Sequence, residues 1–286
     1  MKNFLCYITV VFGIFTLSSC DPSQDANGDF LNGVDYTSST GTTTKLLSKV
    51  SGVNSEGENT TMTYNYTSGK LISINSLVDD VKETTVLTYN GGIITHMEIT
   101  NVDSGDTTLT KLDLLYSSGK LTSASGTTES DGILLYKSTT NVTYNAQKVS
   151  KVVTKMNVED PSNPGQYILA FELTSDLTFA ANNISLWKLT TSTVSIPSVV
   201  IETVLGSYDS NKNPFGTLPS AYNILSTHYS TSQQGATGLS TNNYKSLKVT
   251  ALGTAQTVAV SYTYDESGYP KTMVYNNSDK LNFQYK

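Results

Sequence analysis

The chain contains no arginine: its 18 cationic side chains are all lysines, set against 24 acids. With residues 1–19 set aside, 17 lysines remain and the balance is 17 − 24 = −7. Binding a phosphate backbone needs clustered positive charge. Neighbours such as Lys148 and Lys151 are too sparse to supply it, so no nucleic-acid partner is expected. Cysteine is nearly absent as well. Cys6 lies in an apolar leader, and only Cys20 follows it. One thiol forms no internal disulfide, so the domain must fold by packing alone. Tryptophan occurs once, as Trp187. The one long apolar run, Phe4 to Phe15, is shorter than the roughly 20 residues a membrane-spanning helix requires. No window keeps an apolar period of 3.6 over three turns, which argues against a helical domain.

What the chain has is Thr, Ser, Tyr and Val, residues suited to pleated, half-buried surfaces. A short pattern recurs. Tyr66-Thr67-Ser68-Gly69-Lys70-Leu71 is the clearest copy, and Tyr116-Ser117-Ser118-Gly119-Lys120-Leu121 is the second. Tyr89-Asn90-Gly91-Gly92-Ile93, Tyr144-Asn145-Ala146-Gln147-Lys148-Val149 and Phe179-Ala180-Ala181-Asn182-Asn183-Ile184 are looser copies. Tyr264-Asp265-Glu266-Ser267-Gly268-Tyr269-Pro270 restores the glycine near the end. In each, an aromatic residue closes one strand, a polar link supplies positive φ, and an apolar residue opens the return strand. Each copy therefore reads as a β-hairpin, and the far-side turns, such as Asp103-Ser104-Gly105-Asp106, read as looser links. Met62, Tyr64 and Tyr66 share one face of their strand, as do Val258, Val260, Tyr262 and Tyr264. The opposite face is rich in Thr and Ser. The expected fold is all-β: an antiparallel meander of repeated hairpins forming one large curved or barrel-like sheet. Two sheets packed face to face is the alternative.

Leu17-Ser18-Ser19-Cys20 ends the leader. With Lys2 at its start and small residues before the cut, the leader has the parts of an export signal. The motif resembles a bacterial lipobox, which implies cleavage between Ser19 and Cys20 and acylation of the Cys20 thiol. Buried methylenes contribute about 0.8 kcal/mol each, so two or three acyl chains anchor a protein durably. Residues 1–19 then form the signal peptide, residues 20–33 a polar tether, and residues 34–286 a single β-repeat domain. The scattered acids Asp21 and Asp25 are similar to surface-export signals of Bacteroidota lipoproteins. The expected location is the outer membrane, lipid-anchored on its periplasmic face or at the cell surface.

The hairpin rhythm breaks over residues 195–245. Pro214 and Pro219 forbid a regular central strand there. Phe215 and Leu218 read as apolar plugs on a rigid loop, and Ser220 to Leu225 as a short helix capped by Ser220. This segment is expected to be a lid over one end or face of the sheet, with a ligand-binding loop as the alternative. The lipobox, the Tyr-x-x-x-Gly-Lys-Leu hairpins and the Asn213-Pro214-Phe215 segment together resemble a family of uncharacterised envelope lipoproteins of the Bacteroidota. Tyr264-Asp265 to Gly268 is also similar to the tyrosine-aspartate repeats of RHS-type proteins, although most copies lack the aspartate. The resemblance implies an envelope role and supplies no active site.

The residues offer little catalytic chemistry. His96 and His228 sit in no recognisable motif, and Gly-x-Ser-x-Gly and His-Glu-x-x-His are both missing. The adjacent acids Asp79-Asp80, Glu159-Asp160 and Asp265-Glu266 fall in predicted turns rather than across a cleft. Asp209-x-Asn211-x-Asn213 imitates the start of a calcium loop but lacks the central glycine and the closing glutamate. No enzyme activity, metal or cofactor is expected. Thr107, in Asp106-Thr107-Thr108, is similar to a Bacteroidota O-glycosylation acceptor. Trp187, Tyr222, Tyr229 and Tyr244 lie outside the repeat and are the candidate ligand contacts, since exposed aromatics stack on sugars. The expected function is a membrane-anchored, non-enzymatic binding or scaffold module for a glycan or an envelope protein. A structural or adhesive surface protein is the alternative, and a glycan hydrolase the weakest reading.

Overall fold

A computed structural model describes residues 45–53, 59–78, 80–194, 196–230, 235–276 and 279–286. The leader, Cys20 and the tether lie outside the described residues, as does Asp79.

Among the described residues sixteen antiparallel strands form a closed meander. They begin with β1 (Leu47–Val53), β2 (Asn59–Thr67), β3 (Lys70–Val78) and β4 (Val81–Asn90). β5 (Ile93–Asp103), β6 (Asp106–Ser117), β7 (Lys120–Ser130) and β8 (Ile133–Asn145) follow. Next come β9 (Lys148–Glu159), β10 (Tyr167–Ala180), β11 (Asn183–Thr193) and β12 (Val199–Gly206). β13 (Ser246–Ala251), β14 (Thr254–Tyr264), β15 (Pro270–Tyr275) and β16 (Asp279–Tyr285) complete the wall. β16 pairs with β1, so the sheet has no free edge to recruit another chain. The barrel-like expectation holds, and the sandwich alternative does not.

One rim shows why the repeat has its sequence. At each of the six short hairpins there, the ladder slips by one residue at the aromatic position: Tyr66, Tyr89, Tyr116, Tyr144, Phe179 and Tyr264. The extra residue sits on the return strand. Where it is Thr122, Ser150 or Ser185, its hydroxyl donates to the carbonyl of the residue before the aromatic, each at 3.2 Å. The bulge thus turns a lost ladder bond into a side-chain bond. The aromatic then reaches sideways to the preceding hairpin. Tyr89 donates to the Leu71 carbonyl at 2.9 Å and Tyr144 to that of Leu121 at 3.0 Å. The lysine after the glycine answers in the other direction. Lys70 donates to the Gly91 carbonyl at 2.5 Å and lies 5.4 Å from the Tyr89 ring centre. Lys120 does the same for Ala146, at 2.9 Å, and for Tyr144, at 5.1 Å. Each Gly-Lys-Leu motif therefore ties its own turn to the next one around this tyrosine rim. Burial pushes the Tyr144 hydroxyl up to about 12, so it remains a donor at any physiological pH.

Three of the opposite turns are equally tight, contrary to the looser links expected, while the links from Glu159 to Tyr167 and from Thr193 to Val199 are longer. Ser104-Gly105, Asp131-Gly132 and Leu252-Gly253 each combine two positive φ angles, the geometry of a two-residue hairpin turn. Gly126 has a different duty. A Cβ there would lie 1.7 Å from the Lys111 carbonyl oxygen, so β6 and β7 approach closely only because this residue is glycine.

Barrels of this strand number enclose a bore wider than wall side chains alone can fill. Here the connection from β12 to β13 fills it. Residues 207–245 leave the tyrosine rim and carry a 3₁₀ turn (Phe215–Thr217), helix α1 (Ser220–Tyr229) and a second 3₁₀ turn (Gly235–Leu239). Six consecutive residues of α1, Ala221 to Ser226, are buried. A helix buried on every face is enclosed, not laid on a surface. Its contacts agree. Phe215 packs edge-on against Phe283 of β16, with ring centres 6.0 Å apart, while Tyr229 bonds Thr140 of β8. Those strands stand eight apart in a ring of sixteen, so the insertion spans the bore. The expected lid is therefore an internal plug. It begins at Ser207 rather than at residue 195, because Val199–Gly206 completes the wall as β12. Pro219, not Ser220, precedes the first helical residue, and no side chain caps the helix.

Candidate functional site

The plug is anchored at both feet and along its length. At the tyrosine rim, Asp209 takes one oxygen to the backbone N–H of Asn211 at 2.9 Å and to the N–H and amide of Asn243, both at 3.2 Å. Its other oxygen accepts from the Tyr264 hydroxyl. Asp209 thus clamps the outgoing and returning chain together. The Asp209-x-Asn211-x-Asn213 segment is spent on these bonds and on Asn213 capping the Phe215 N–H at 2.8 Å. Among the described residues no group of three or more metal-ligating side chains occurs.

Deeper in, His228 at the end of α1 stands between two wall hydroxyls. Its Nδ1 lies 2.8 Å from the Thr154 hydroxyl on β9, and its Nε2 lies 2.9 Å from the Ser175 hydroxyl on β10. Trp187 donates its indole N–H to the same Ser175 oxygen at 3.0 Å. Burial drives His228 down to about 3, so the ring is neutral at neutral pH. The serine–histidine distance suits a nucleophile and base, but the rest does not. Ser175 is inaccessible to solvent, its oxygen already receives the indole, and a threonine stands where an orienting carboxylate belongs. This cluster holds the plug in place. It does not attack a substrate.

The four aromatic residues singled out as ligand contacts all belong to the interior. Trp187 is 8% exposed, Tyr222 1% and Tyr244 0%. Tyr229 is half-buried, with its hydroxyl 2.9 Å from that of Thr140. None presents an open ring on which a sugar could stack. His96 lies on the outer wall, where a bulge at Thr95 turns it away from the buried Ile94. Burial opposes its charge, but Asp113 at 2.9 Å and Glu98 at 3.2 Å outweigh that and raise its pKa. Asp80, Glu159 and Asp160 sit at the far rim, while Asp265 and Glu266 sit at the tyrosine rim, so these acids do not converge. Thr107 is half-buried near the far rim, and its N–H is bonded to the Asp131 carboxylate at 3.2 Å.

The sequence reading missed the far mouth. Among the described residues thirteen large apolar side chains are exposed, and nine of them cluster at the far rim. They include Ile133 at 69%, Val194 at 76%, Ile196, Leu252 and Ile168. Inside the same mouth, Phe171, Leu173, Leu189 and Ile201 point into the bore yet stay only partly covered. One turn deeper on the same strands, Ser175, Trp187 and Thr203 are closed off by the plug. Tyr136 packs edge-on against Phe171, with ring centres 5.5 Å apart. The far rim thus carries an apolar lip, with partly covered apolar side chains just inside it. A hint was present in the sequence: Gly132-Ile133-Leu134-Leu135 and Ile196-Pro197 place apolar residues where turns are expected to be polar.

The outer wall is the reverse of the bore. Lys151 pairs with Asp176 at 3.3 Å, Lys155 with Glu172 at 3.8 Å and Lys111 with Glu129 at 4.0 Å, all on its outward face. A barrel set in lipid carries an apolar outer band and a polar lumen, and a lysine at mid-bilayer depth costs about 2–4 kcal/mol. This wall has charges outside, and its interior combines an apolar core with buried hydroxyls such as Thr110, Thr140 and Ser175.

No family model matches the chain, and no curated protein does. Among solved structures it is similar to a porin-like protein from Bacteroides vulgatus, with a TM-score of 0.53 and 12% identity over 85% of this chain and 99% of that one. A porin-like protein from Bacteroides uniformis aligns with a TM-score of 0.47 and 13% identity, over 84% of this chain and 96% of that one. At this identity the likeness to the first establishes the barrel fold alone.

Proposed function

We propose that the protein is a lipid-tethered, non-enzymatic envelope protein whose water-facing barrel presents its far mouth to a partner. One observation carries the binding role: exposed large apolar residues concentrate at the rim opposite the start of the described chain. Lys45 enters at the tyrosine rim, where the Leu46 N–H bonds the Lys286 carbonyl at 2.9 Å. A tether from Cys20 therefore joins that rim and leaves the apolar mouth pointing away from the membrane. Patches of this kind mark interaction sites on soluble surfaces. An envelope protein fits the mouth better than a glycan does, because its exposed lip is aliphatic, with Ile133, Val194, Ile196 and Leu252 the most exposed. The charged outer wall and filled bore also argue against a pore.

The anchor is tested by intact mass and fractionation. Protein expressed with its leader will begin at Cys20, carry acyl chains there and sediment with membranes, whereas the Cys20→Ala variant will stay unacylated. An unmodified Cys20 in the wild-type protein would remove the tethered reading.

A further inference from the structure

The barrel is electrically polarised from end to end. The hairpin lysines Lys70, Lys120 and Lys148 stand at the tyrosine rim. Lys212 and Lys245 stand at the feet of the plug, Lys271 near the start of β15, and Lys45 and Lys286 at the two ends of the described chain. These eight lysines meet three acids there, Asp209, Asp265 and Glu266. Asp265 is already matched to Lys45 at 2.7 Å, and Asp209 is occupied by the plug's feet. The far rim reverses the balance. In its turns and within two residues of the strand ends, nine acids face two lysines, Lys82 and Lys280. The described residues carry 17 lysines and 17 acids in all, so the asymmetry is one of placement and not of net charge.

We infer that the lysine-tyrosine rim is a docking surface for an anionic lipid bilayer. The charge is complementary, and the chain runs from this rim toward Cys20. The rim is also built for an interface. Its lysines lie across aromatic rings, Lys286 at 4.6 Å from Tyr66 and Lys212 at 4.7 Å from Tyr269. It is the ammonium groups that sit over the ring faces, so positive charge is held in place at this rim beside aromatic surface, an arrangement that suits a headgroup layer. Each lysine near an anionic surface adds attraction that fades beyond a Debye length. The rim thus orients the barrel upright on its tether, with the acidic and apolar far mouth held away from the bilayer. This orientation deepens the tethered-lipoprotein reading and rests on it.

The test uses the mature chain with Cys20→Ala, so that no acyl group contributes. It is mixed with phosphatidylcholine vesicles with or without about 30% phosphatidylglycerol, at about 50 and 500 mM salt. Binding is expected only to the anionic vesicles, and is expected to fall at least about tenfold at high salt. Lys245→Glu with Lys271→Glu should weaken low-salt binding by about tenfold or more. Lys82→Glu with Lys280→Glu makes the same change in net charge at the far rim and should alter binding less than about threefold. Lys245, Lys271, Lys82 and Lys280 are all exposed, so both variants keep the core intact. Equal losses in the two double variants, or no binding by the parent chain, would overturn the docking surface. Acylation of Cys20 is read separately by mass, so the anchor reading would stand or fall on its own.

Discussion

Replacing residues 209–243 by a short Gly-Ser linker will abolish cooperative folding. The plug buries Phe215, Leu218, Tyr222, Ile224 and Leu225, each at most 2% exposed. At about 1.5–3 kcal/mol per large apolar side chain, their burial contributes on the order of 8–15 kcal/mol as an upper estimate. That equals the whole stability of a typical domain, about 5–15 kcal/mol. The wall's inward side chains, such as Leu112, Val152 and Met273, would then face a flooded bore. The measurement is a thermal melt followed by far-ultraviolet circular dichroism, with no sharp transition expected. A barrel whose wall stands alone would instead melt cooperatively without its insertion. The finer variant Leu225→Ala should cost about 2–5 kcal/mol, since the residue has no solvent exposure and a cavity there cannot collapse onto a closed wall.

Acid will loosen the plug through His228. The folded ring titrates at about 3, against 6.5 for the ordinary group. Below pH 6.5 the unfolded chain takes up a proton that the folded one refuses. The stability held above pH 6.5 is therefore lost as pH falls toward 3, by about 1.4 kcal/mol per pH unit. The ring nitrogens meet the hydroxyls of Thr154 and Ser175, and neither can neutralise a charge there. Denaturant midpoints at pH 7 and pH 4.5 measure the loss. The wild-type protein should lose roughly 2–3 kcal/mol more than His228→Gln across that interval. Parallel losses would mean that the histidine is not buried neutral.

Period and turn chemistry made most of the wall legible. Met62-Tyr64 and Val258-Val260 were assigned to the covered face by alternation, and they are buried. The hairpin turns followed from Ser-Gly pairs after an aromatic. Closure was less legible, because β1 meets β16 across nearly the whole chain and no local pattern encodes that pairing. The plug was half legible. Pro214 and Pro219 marked a break, but a lid and a plug share the same apolar residues, and only the width of the closed bore separates them. Trp187 and Tyr244 misled for the same reason. Lying outside the repeat looked like freedom from the core, whereas these residues are the core that the repeat cannot supply. The lysine placement became meaningful only once the hairpins were gathered at one rim.

A barrel with a charged wall facing water and an interior packed by its own plug needs no lipid to stay folded. Analytical ultracentrifugation of the mature Cys20→Ala chain in detergent-free buffer, read beside its circular dichroism, tests this most directly. A discrete, folded β-sheet species is expected at low ionic strength with no detergent present. A chain that stays folded only in micelles, and aggregates once they are removed, would contradict it.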